Sequence, residues 1–221
     1  MTMTLCFAPQ TCARVPLIAL EQTGAPFETQ LIAFMKGEHK SPEYLSLNAA
    51  GKVPALITEA GVLTQNIAIL GWLACRFPEA ELLPTPATPF AEAQTIARLA
   101  WFSADLHPIV TRIRMPHFAC DLPDAIPRVR AMAMEAMAQQ LHAIDLTHGP
   151  WLLGERWSVL DAYLYWVWFR ITGAGFDANQ FPAIADHSVR MDELPAVRRA
   201  LARERAAEQE LTARGLAVPL A

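Results

Sequence analysis

Two short stretches of the chain bring together residues that could bind a small acidic peptide. The first, residues 51–56, contains Val53-Pro54 at the start of a short apolar strand. The bond before proline adopts the cis geometry at low cost, and a cis bond would turn the Val53 N–H and C=O outward to pair with an extended peptide. The second contains Gln65 and Asn66, where a strand ends and a helix starts. Because a helix N-terminus leaves N–H groups unsatisfied and carries partial positive charge, we expect an anion site beside a peptide-docking edge.

The spacing of these motifs resembles the glutathione transferase family, and the resemblance covers nearly the whole chain. In that family a thioredoxin-like domain carries a V-P with a cis proline. An L-T-[EQ]-S-x-A-I-L-like turn follows and binds the γ-glutamyl group of glutathione. Here residues 63–70 read L-T-Q-N-I-A-I-L, with Asn66 in place of the usual serine. A side-chain amide can also donate a hydrogen bond to a carboxylate. The resemblance therefore implies that Val53, Pro54, Gln65 and Asn66 bind glutathione as a co-substrate.

The chemistry expected of such a site is to hold a thiol as thiolate at neutral pH. A free thiol has a pKa of about 8.5, and lowering it by about two units needs roughly 2.7 kcal/mol of differential stabilisation. Donors at the start of the first helix could supply that. Several transferase classes place a tyrosine two residues before the proline of this turn. Phe7 stands there and has no hydroxyl, which excludes the tyrosine mechanism.

The same turn is similar to that of the bacterial beta-like classes, which read Y-x-P-x-[AS]-C-S. Residues 7–13 read F-A-P-Q-T-C-A and place Cys12 on the family cysteine. Cys12 could contact the glutathione sulfur, as donor or as partner in a mixed disulfide, or it could be a small apolar helix residue. Thr11 is the rival donor, through its hydroxyl or backbone N–H, and could equally be a helix N-cap.

Other candidate residues rest on weaker patterns. One of Lys40 or Lys52 is expected to bind the glycine carboxylate of glutathione. His107 lies in D-L-H-P, similar to the E-L-H-K of beta-like enzymes, whose histidine faces the active site. The alternative is a helix histidine bonded to solvent or to a carboxylate. The candidates for an electrophile pocket are Phe7, Gln10, His107, Met115 and His117.

Composition excludes several other classes of protein. The chain has 221 residues, of which 53% are hydrophobic and 18% charged, with a formal net charge of −4. No basic stripe is present for nucleic acid, and no apolar run reaches the roughly 18 residues of a membrane span. The N-terminus lacks the features of a signal peptide. The four cysteines, Cys6, Cys12, Cys75 and Cys120, show no CxxC spacing, so we expect a reduced, cytoplasmic setting without a metal site.

Hydrophobic periodicity and turn residues predict two domains, in keeping with the resemblance. We expect an α/β thioredoxin-like domain over residues 1–83, a proline-rich linker over 84–89, and an all-α domain over 90–221 that holds the electrophile pocket. The first domain reads β-α-β and then β-β-α. Helices are predicted at 12–22, near 42–46, 66–77, 90–114, 126–148, 158–171 and 195–208. Pro108 predicts a kink after about Asp105, and Ser158 and Asp161 have the offset of a capping box.

Three functions fit these observations. The first is a glutathione transferase that attacks an electrophilic small molecule, as in detoxification. The second is a glutathione-dependent thiol–disulfide reductase or peroxidase acting through Cys12. The third is a non-catalytic glutathione-binding protein of the same fold. The resemblance also implies a two-fold homodimer.

Overall fold

The computed structural model describes residues 2–217, and the chain divides into two compact units. One unit comprises the residues up to Leu83 together with those from Glu193 onward, and the other comprises residues 84–192. The sequence predicts the same boundary after residue 83, but it assigns all of 90–221 to the helical domain. The structure instead groups the last helix with the first unit, because that helix packs on the first helix of the chain.

The first unit contains a four-stranded mixed sheet. Its strands are β1 (Met3–Phe7), β2 (Phe27–Leu31), β3 (Ala55–Thr58) and β4 (Gly61–Thr64). The strand order is β2-β1-β3-β4, with β1 parallel to β2 and both other pairings antiparallel. This arrangement confirms the predicted thioredoxin-like α/β domain.

Helices account for most of the remaining chain. They are α1 (Arg14–Thr23), α2 (Pro42–Leu47), α3 (Asn66–Arg76), α4 (Pro89–Ala100), α5 (His107–Arg114), α6 (Ile126–Leu141), α7 (Val159–Thr172), α8 (Pro182–Glu193) and α9 (Pro195–Ala213). No helix within residues 2–217 is both long and apolar enough to cross a membrane.

Helix α1 is buried against α3 and α9. Two groups of ion pairs join α1 to α9. Arg14 pairs with Glu204 near the start of α1, and Glu21 pairs with Arg199 and Arg203 near its end. These pairs are the physical reason why α9 belongs to the first unit.

The helical unit differs from its prediction at three places. A π-helical segment, Trp101–Leu106, separates α4 from α5 where the sequence predicts a kink. Pro108 causes the irregularity, since it has no N–H to continue the helical ladder. Helix α6 ends at Leu141 rather than at 148: the Ala143 and Ile144 N–H groups bond three residues back, and an Asx turn of Asp145 with the Thr147 N–H follows. Helix α8 was not predicted.

The capping box predicted for α7 is confirmed. The Ser158 side chain accepts from the backbone of the first turn, and the Asp161 carboxylate accepts from the Ser158 N–H. Helix α7 is buried over almost its whole length, and Trp166 and Trp168 lie in the core.

Candidate functional site

The turn between β1 and α1 holds its backbone in an unusual conformation. Gln10 has a φ of 61°, in the left-handed region that residues with a side chain rarely adopt. The Thr11 hydroxyl donates to the Ala8 carbonyl at 2.7 Å and accepts from the Ala13 N–H at 3.3 Å. Ala13, not Thr11, is the N-cap of α1. The Thr11 hydroxyl is therefore a fixed part of this turn rather than a helix cap.

Cys12 lies against the predicted peptide-docking edge. Its Sγ is 3.6 Å from the Val53 carbonyl oxygen, and its side chain is buried. The Val53–Pro54 peptide bond is cis. No hydrogen bond inside the described part of the chain engages the Val53 N–H. The thiol and a backbone N–H able to pair with an extended peptide thus occur side by side.

The start of α3 completes this junction. Gln65, with a φ of 70°, is the residue before α3, and its carbonyl accepts from the Ile69 N–H at 3.0 Å. The Asn66 amide Nδ2 donates to the Cys12 carbonyl at 3.0 Å, while its buried Oδ1 has no partner within residues 2–217. Asn66 is only 6% exposed. Asn66 is therefore not a surface residue at the helix start: its amide faces inward and ties α3 to the turn.

The two candidate lysines have different surroundings. Lys40 Nζ donates to the Ala50 carbonyl at 3.2 Å, and the side chain lies across Gly51, where an added Cβ would come within 2.7 Å of Nζ. Lys52 has an exposed side chain, whereas its carbonyl accepts from the Tyr44 hydroxyl and the Asn48 amide, both at 2.7 Å. A fixed backbone with an exposed ammonium makes Lys52 the more available cation of the two.

His39 beside these lysines is a poor anion ligand. Its ring stacks on Phe34 with centroids 4.0 Å apart. Burial, followed by the charge of Lys40, lowers the pKa of His39 below its ordinary 6.5, against an opposing hydrogen bond with the Phe34 backbone. The ring is therefore neutral at neutral pH.

A cavity of about 330 Å³ opens beside the turn. Gln10 and Thr11 form one wall, Phe34 and Met35 another, and the end of α9 with the residues after it a third. Phe7 was expected to line an electrophile pocket, but it is 1% exposed. That expectation is wrong for Phe7, since its side chain fills the core beneath the sheet.

Two carboxylates of α9 reach this turn, and sequence reasoning missed both. Glu204 Oε1 accepts from the Gln10 N–H at 3.2 Å, and Glu208 Oε1 accepts from the Gln10 side-chain amide at 2.7 Å. The only signal in the sequence was that two acids four residues apart share one helix face. That spacing does not indicate which residues this face of α9 contacts.

The remaining candidates lie in the helical unit. His107 Nδ1 is 3.3 Å from the Tyr163 hydroxyl, and its ring packs edge-on against Trp166 at 4.7 Å. Its ring therefore packs among aromatic side chains of α7. Met115 is half-buried at the end of α5, and the exposed His117 packs on Phe118 in the turn that follows. Within residues 2–217 no group of three or more His, Cys, Asp or Glu side chains is placed to hold a metal ion.

Comparison with known proteins points the same way. Residues 1–75 match the family model described as "Glutathione S-transferase, N-terminal domain". The chain is 30% identical over 205 residues to glutathione S-transferase GstA of Escherichia coli O157:H7, an alignment that covers 91% of this chain and 98% of that protein. It is also 28% identical to a maleylpyruvate isomerase of Ralstonia, over 83% of this chain and 88% of that one.

The fold has close counterparts among solved structures. A glutathione transferase homologue from Sulfitobacter, crystallised with bound glutathione, superposes with a TM-score of 0.82 at 28% identity. The match covers 93% of this chain and 99% of that one. Since sequence and fold agree along nearly the whole length, the chain belongs to the glutathione S-transferase family.

Proposed function

We propose that this protein is a glutathione transferase that holds the glutathione thiol as thiolate and presents it to a small electrophile. The junction of three elements carries the proposal. Cys12 Sγ contacts the Val53 carbonyl at 3.6 Å, and Asn66 Nδ2 bonds the Cys12 carbonyl at 3.0 Å. The thiol-activating turn, the peptide-docking edge and the start of α3 are thereby joined. The bound glutathione of the Sulfitobacter relative supports the same ligand here.

Each part of the tripeptide has a matching group in this arrangement. The α-carboxylate of the γ-glutamyl group meets the N–H groups at the start of α3, where Gln65 accepts from the ligand amino group. The Val53 N–H and C=O pair with the cysteinyl backbone beside Pro54. Lys52, or Lys40 if it releases the Ala50 carbonyl, binds the glycine carboxylate.

The reaction requires the thiol proton to leave before attack. Donors of the turn stabilise the thiolate, and the proton passes to solvent. They are Cys12, a backbone N–H, or Thr11 if its hydroxyl releases the Ala8 carbonyl. The sulfur then forms a bond to the electrophilic carbon while a leaving group departs with its electron pair. In an addition, the carbon that receives the electrons takes up a proton instead.

The charge of the cavity favours an uncharged electrophile. The described residues that line it include no lysine or arginine and one carboxylate, Glu208. A carboxylate-bearing substrate would meet a like charge there. This distinguishes the proposed transferase reaction from the isomerisation of an acid such as maleylpyruvate.

A reductase acting through Cys12 is the second candidate. The position of its Sγ beside the Val53 carbonyl favours contact with the ligand sulfur. In that reaction the Cys12 thiolate attacks a glutathione mixed disulfide, forms a Cys12–glutathione disulfide and expels the other thiolate. A second glutathione then releases the first as oxidised glutathione. The 8% exposure of Cys12 restricts this attack.

Calorimetry with glutathione and conjugation of 1-chloro-2,4-dinitrobenzene test the proposal together. We expect saturable binding and conjugation in the wild type. If Thr11 or a backbone N–H activates the thiol, Cys12→Ala should retain conjugation and Thr11→Ala should reduce it. Cys75→Ala, at an exposed site, serves as the control. Loss of disulfide reduction alone in Cys12→Ala would favour the reductase. Binding without turnover of any electrophile would favour a non-catalytic binder, and absence of binding would refute the assignment.

The proposal includes a two-fold dimer in the reducing cytoplasm, where glutathione stays a thiol. Large apolar side chains of the helical unit support self-association, with Phe90 72% exposed, Ile96 51% exposed and Met132 53% exposed. Phe90→Glu should give a monomer by light scattering at micromolar concentration, and Val189→Glu, on α8, should not. A monomeric wild type would refute the dimer.

A further inference from the structure

We propose that Glu204 of α9 is a positioning residue for the turn that activates the glutathione thiol. The inference rests on the proposed function, because it assigns a role in thiol activation to a residue that does not itself touch the ligand. It adds a helix near the end of the described chain to the thiol-activating turn, for which the sequence indicates only Thr11 and Cys12.

Glu204 divides its two oxygens between the turn and α1. Oε1 accepts from the Gln10 N–H at 3.2 Å, and Oε2 accepts from Arg14 Nε at 3.0 Å and Nη2 at 2.5 Å. The Arg14 and Glu204 side chains are each 4% exposed. A buried pair with this many hydrogen bonds allows only one placement of the carboxylate.

Gln10 needs this support because its backbone is left-handed, at a φ of 61°. Such conformations persist in residues with a side chain only where the surroundings hold them. Two hydrogen bonds support Gln10, and both acceptors lie on one face of α9. Glu204 accepts from the Gln10 backbone N–H, and Glu208 accepts from its side-chain amide. Since Gln10 directly precedes Thr11 and Cys12, its conformation sets the direction of every donor the turn can offer.

The same two helices contain a natural control. Glu21 of α1 is also buried, at 7% exposure, and pairs with Arg199 and Arg203 of α9. It bonds nothing in the turn. If the carboxylates only fixed α1 to α9, their removal would have equal effects on the site. If Glu204 positions the turn, only its removal would change the chemistry.

The experiment compares Glu204→Gln, Glu204→Asp and Glu21→Gln in the full chain. Hydrogen exchange, read by mass spectrometry on peptides covering residues 10–13, measures how firmly the turn is held without any ligand. Thiolate absorbance of bound glutathione, titrated with pH, measures thiol activation. Glu204→Asp keeps a negative charge opposite Arg14, so it should fold even if Glu204→Gln does not. Its side chain is one methylene shorter and cannot bond both Arg14 and the Gln10 N–H.

We expect exchange in residues 10–13 to accelerate at least tenfold in both Glu204 variants. The pKa of the bound thiol should rise by about one unit, which is about a tenfold loss of thiolate below that pKa. Glu21→Gln should change exchange less than twofold and leave the thiol pKa in place.

Equal effects of Glu21→Gln and the Glu204 variants, or no effect of either, would overturn the proposal. Faster exchange with an unchanged thiol pKa would also overturn it, because Glu204 would then anchor the turn without serving activation. A wild type that binds no glutathione would refute the proposed function before any variant is compared. The exchange data would still report whether Glu204 holds the turn.

Discussion

Two buried carboxylates perform the same task in the two units, but they do it across very different separations in sequence. Asp161 of the helical unit is fully buried and accepts from the Ser158 N–H, the Leu152 N–H and His187 Nε2, at 2.8, 2.8 and 2.9 Å. Glu204 of the first unit is 3% exposed and accepts from Gln10 and Arg14. Each carboxylate accepts hydrogen bonds from a stretch of irregular backbone that lies outside the hydrogen-bonding pattern of a helix or a sheet.

The difference lies in how visible the two are in the sequence. Ser158 and Leu152, which both donate to Asp161, lie within nine residues of it in the sequence. The bond with Ser158 belongs to a capping box, which can be recognised from spacing alone. The partners of Glu204 are 190 and 194 residues away. A carboxylate can therefore be important to the structure whether or not the sequence reveals its partners. Asp161 fixes a helix start through nearby residues, and Glu204 fixes the candidate site through distant ones.

The largest expected effect comes from Asp161→Ala. The change leaves the Ser158 and Leu152 N–H groups and the buried His187 without their acceptor. We expect a loss of about 3–5 kcal/mol in the free energy of unfolding, measured by urea denaturation. Asp177→Ala removes an exposed carboxylate of the same unit and should lose much less. Similar losses in the two variants would show that the Asp161 network adds little.

Replacing the Arg14–Glu204 ion pair should separate the contribution of Glu204 to the stability of the fold from its role in positioning the turn. Glu204→Leu leaves Arg14 charged and buried, so it should be strongly destabilised. The double variant Arg14→Met with Glu204→Leu should recover most of that loss of about 3–5 kcal/mol, because apolar side chains can replace a buried ion pair. Exchange of residues 10–13 should stay fast in the double variant. Restored protection of the turn would contradict the role given to Glu204.

Asn66→Ala should have a smaller effect on stability. The variant loses the bond to the Cys12 carbonyl, which still accepts from the Val15 N–H at 3.2 Å, so the expected cost is that of one hydrogen bond, about 0.5–1.5 kcal/mol. Thermal unfolding should show a lower midpoint, and calorimetry a weaker affinity for glutathione. Asn66→Ser, which restores the residue common in the family, is the matched comparison and should recover part of the affinity. An unchanged midpoint in Asn66→Ala would mean that the amide does not brace the turn.

The narrowest effect is confined to alkaline pH and concerns the buried thiol of Cys6. Burial raises the pKa of the Cys6 thiol from 9.0 to about 11. The folded chain keeps this proton above pH 9 while the unfolded chain releases it. The stabilising effect is therefore complete below pH 9 and is lost as the pH rises through 11, up to about 2.7 kcal/mol.

Cys6→Ala should flatten this part of the profile of unfolding free energy against pH. The exposed Cys75→Ala should not alter it. A profile that is the same in wild type and Cys6→Ala would show that the thiol does not resist ionisation.

The sequence predicts those parts of the fold whose causes are local. The hairpin of β3 and β4, the Val53-Pro54 edge and the Ser158–Asp161 cap depend on residues a few positions apart, and all are present. Helix α8 was missed although Pro182 at its start and Pro195 beyond its end were readable signals.

The candidate site is less predictable because its contacts are long-range. The resemblance to the family indicated Cys12 and Asn66, but not that the Asn66 amide turns inward to the Cys12 carbonyl, 54 residues away. Nor could it assign α9 to the first unit, since that depends on which face of α1 the acids of α9 meet. Local patterns name the residues of a site, and tertiary packing decides what each of them does.

A crystal structure of the protein with glutathione would test the central claim most directly. We expect the α-carboxylate at the start of α3, the cysteinyl backbone paired with Val53, and the sulfur within hydrogen-bonding distance of a donor from Thr11 or Cys12. Gln10 should keep its bonds to Glu204 and Glu208. A glutathione bound away from the Val53 edge, or a sulfur that no group of the turn approaches, would contradict the account.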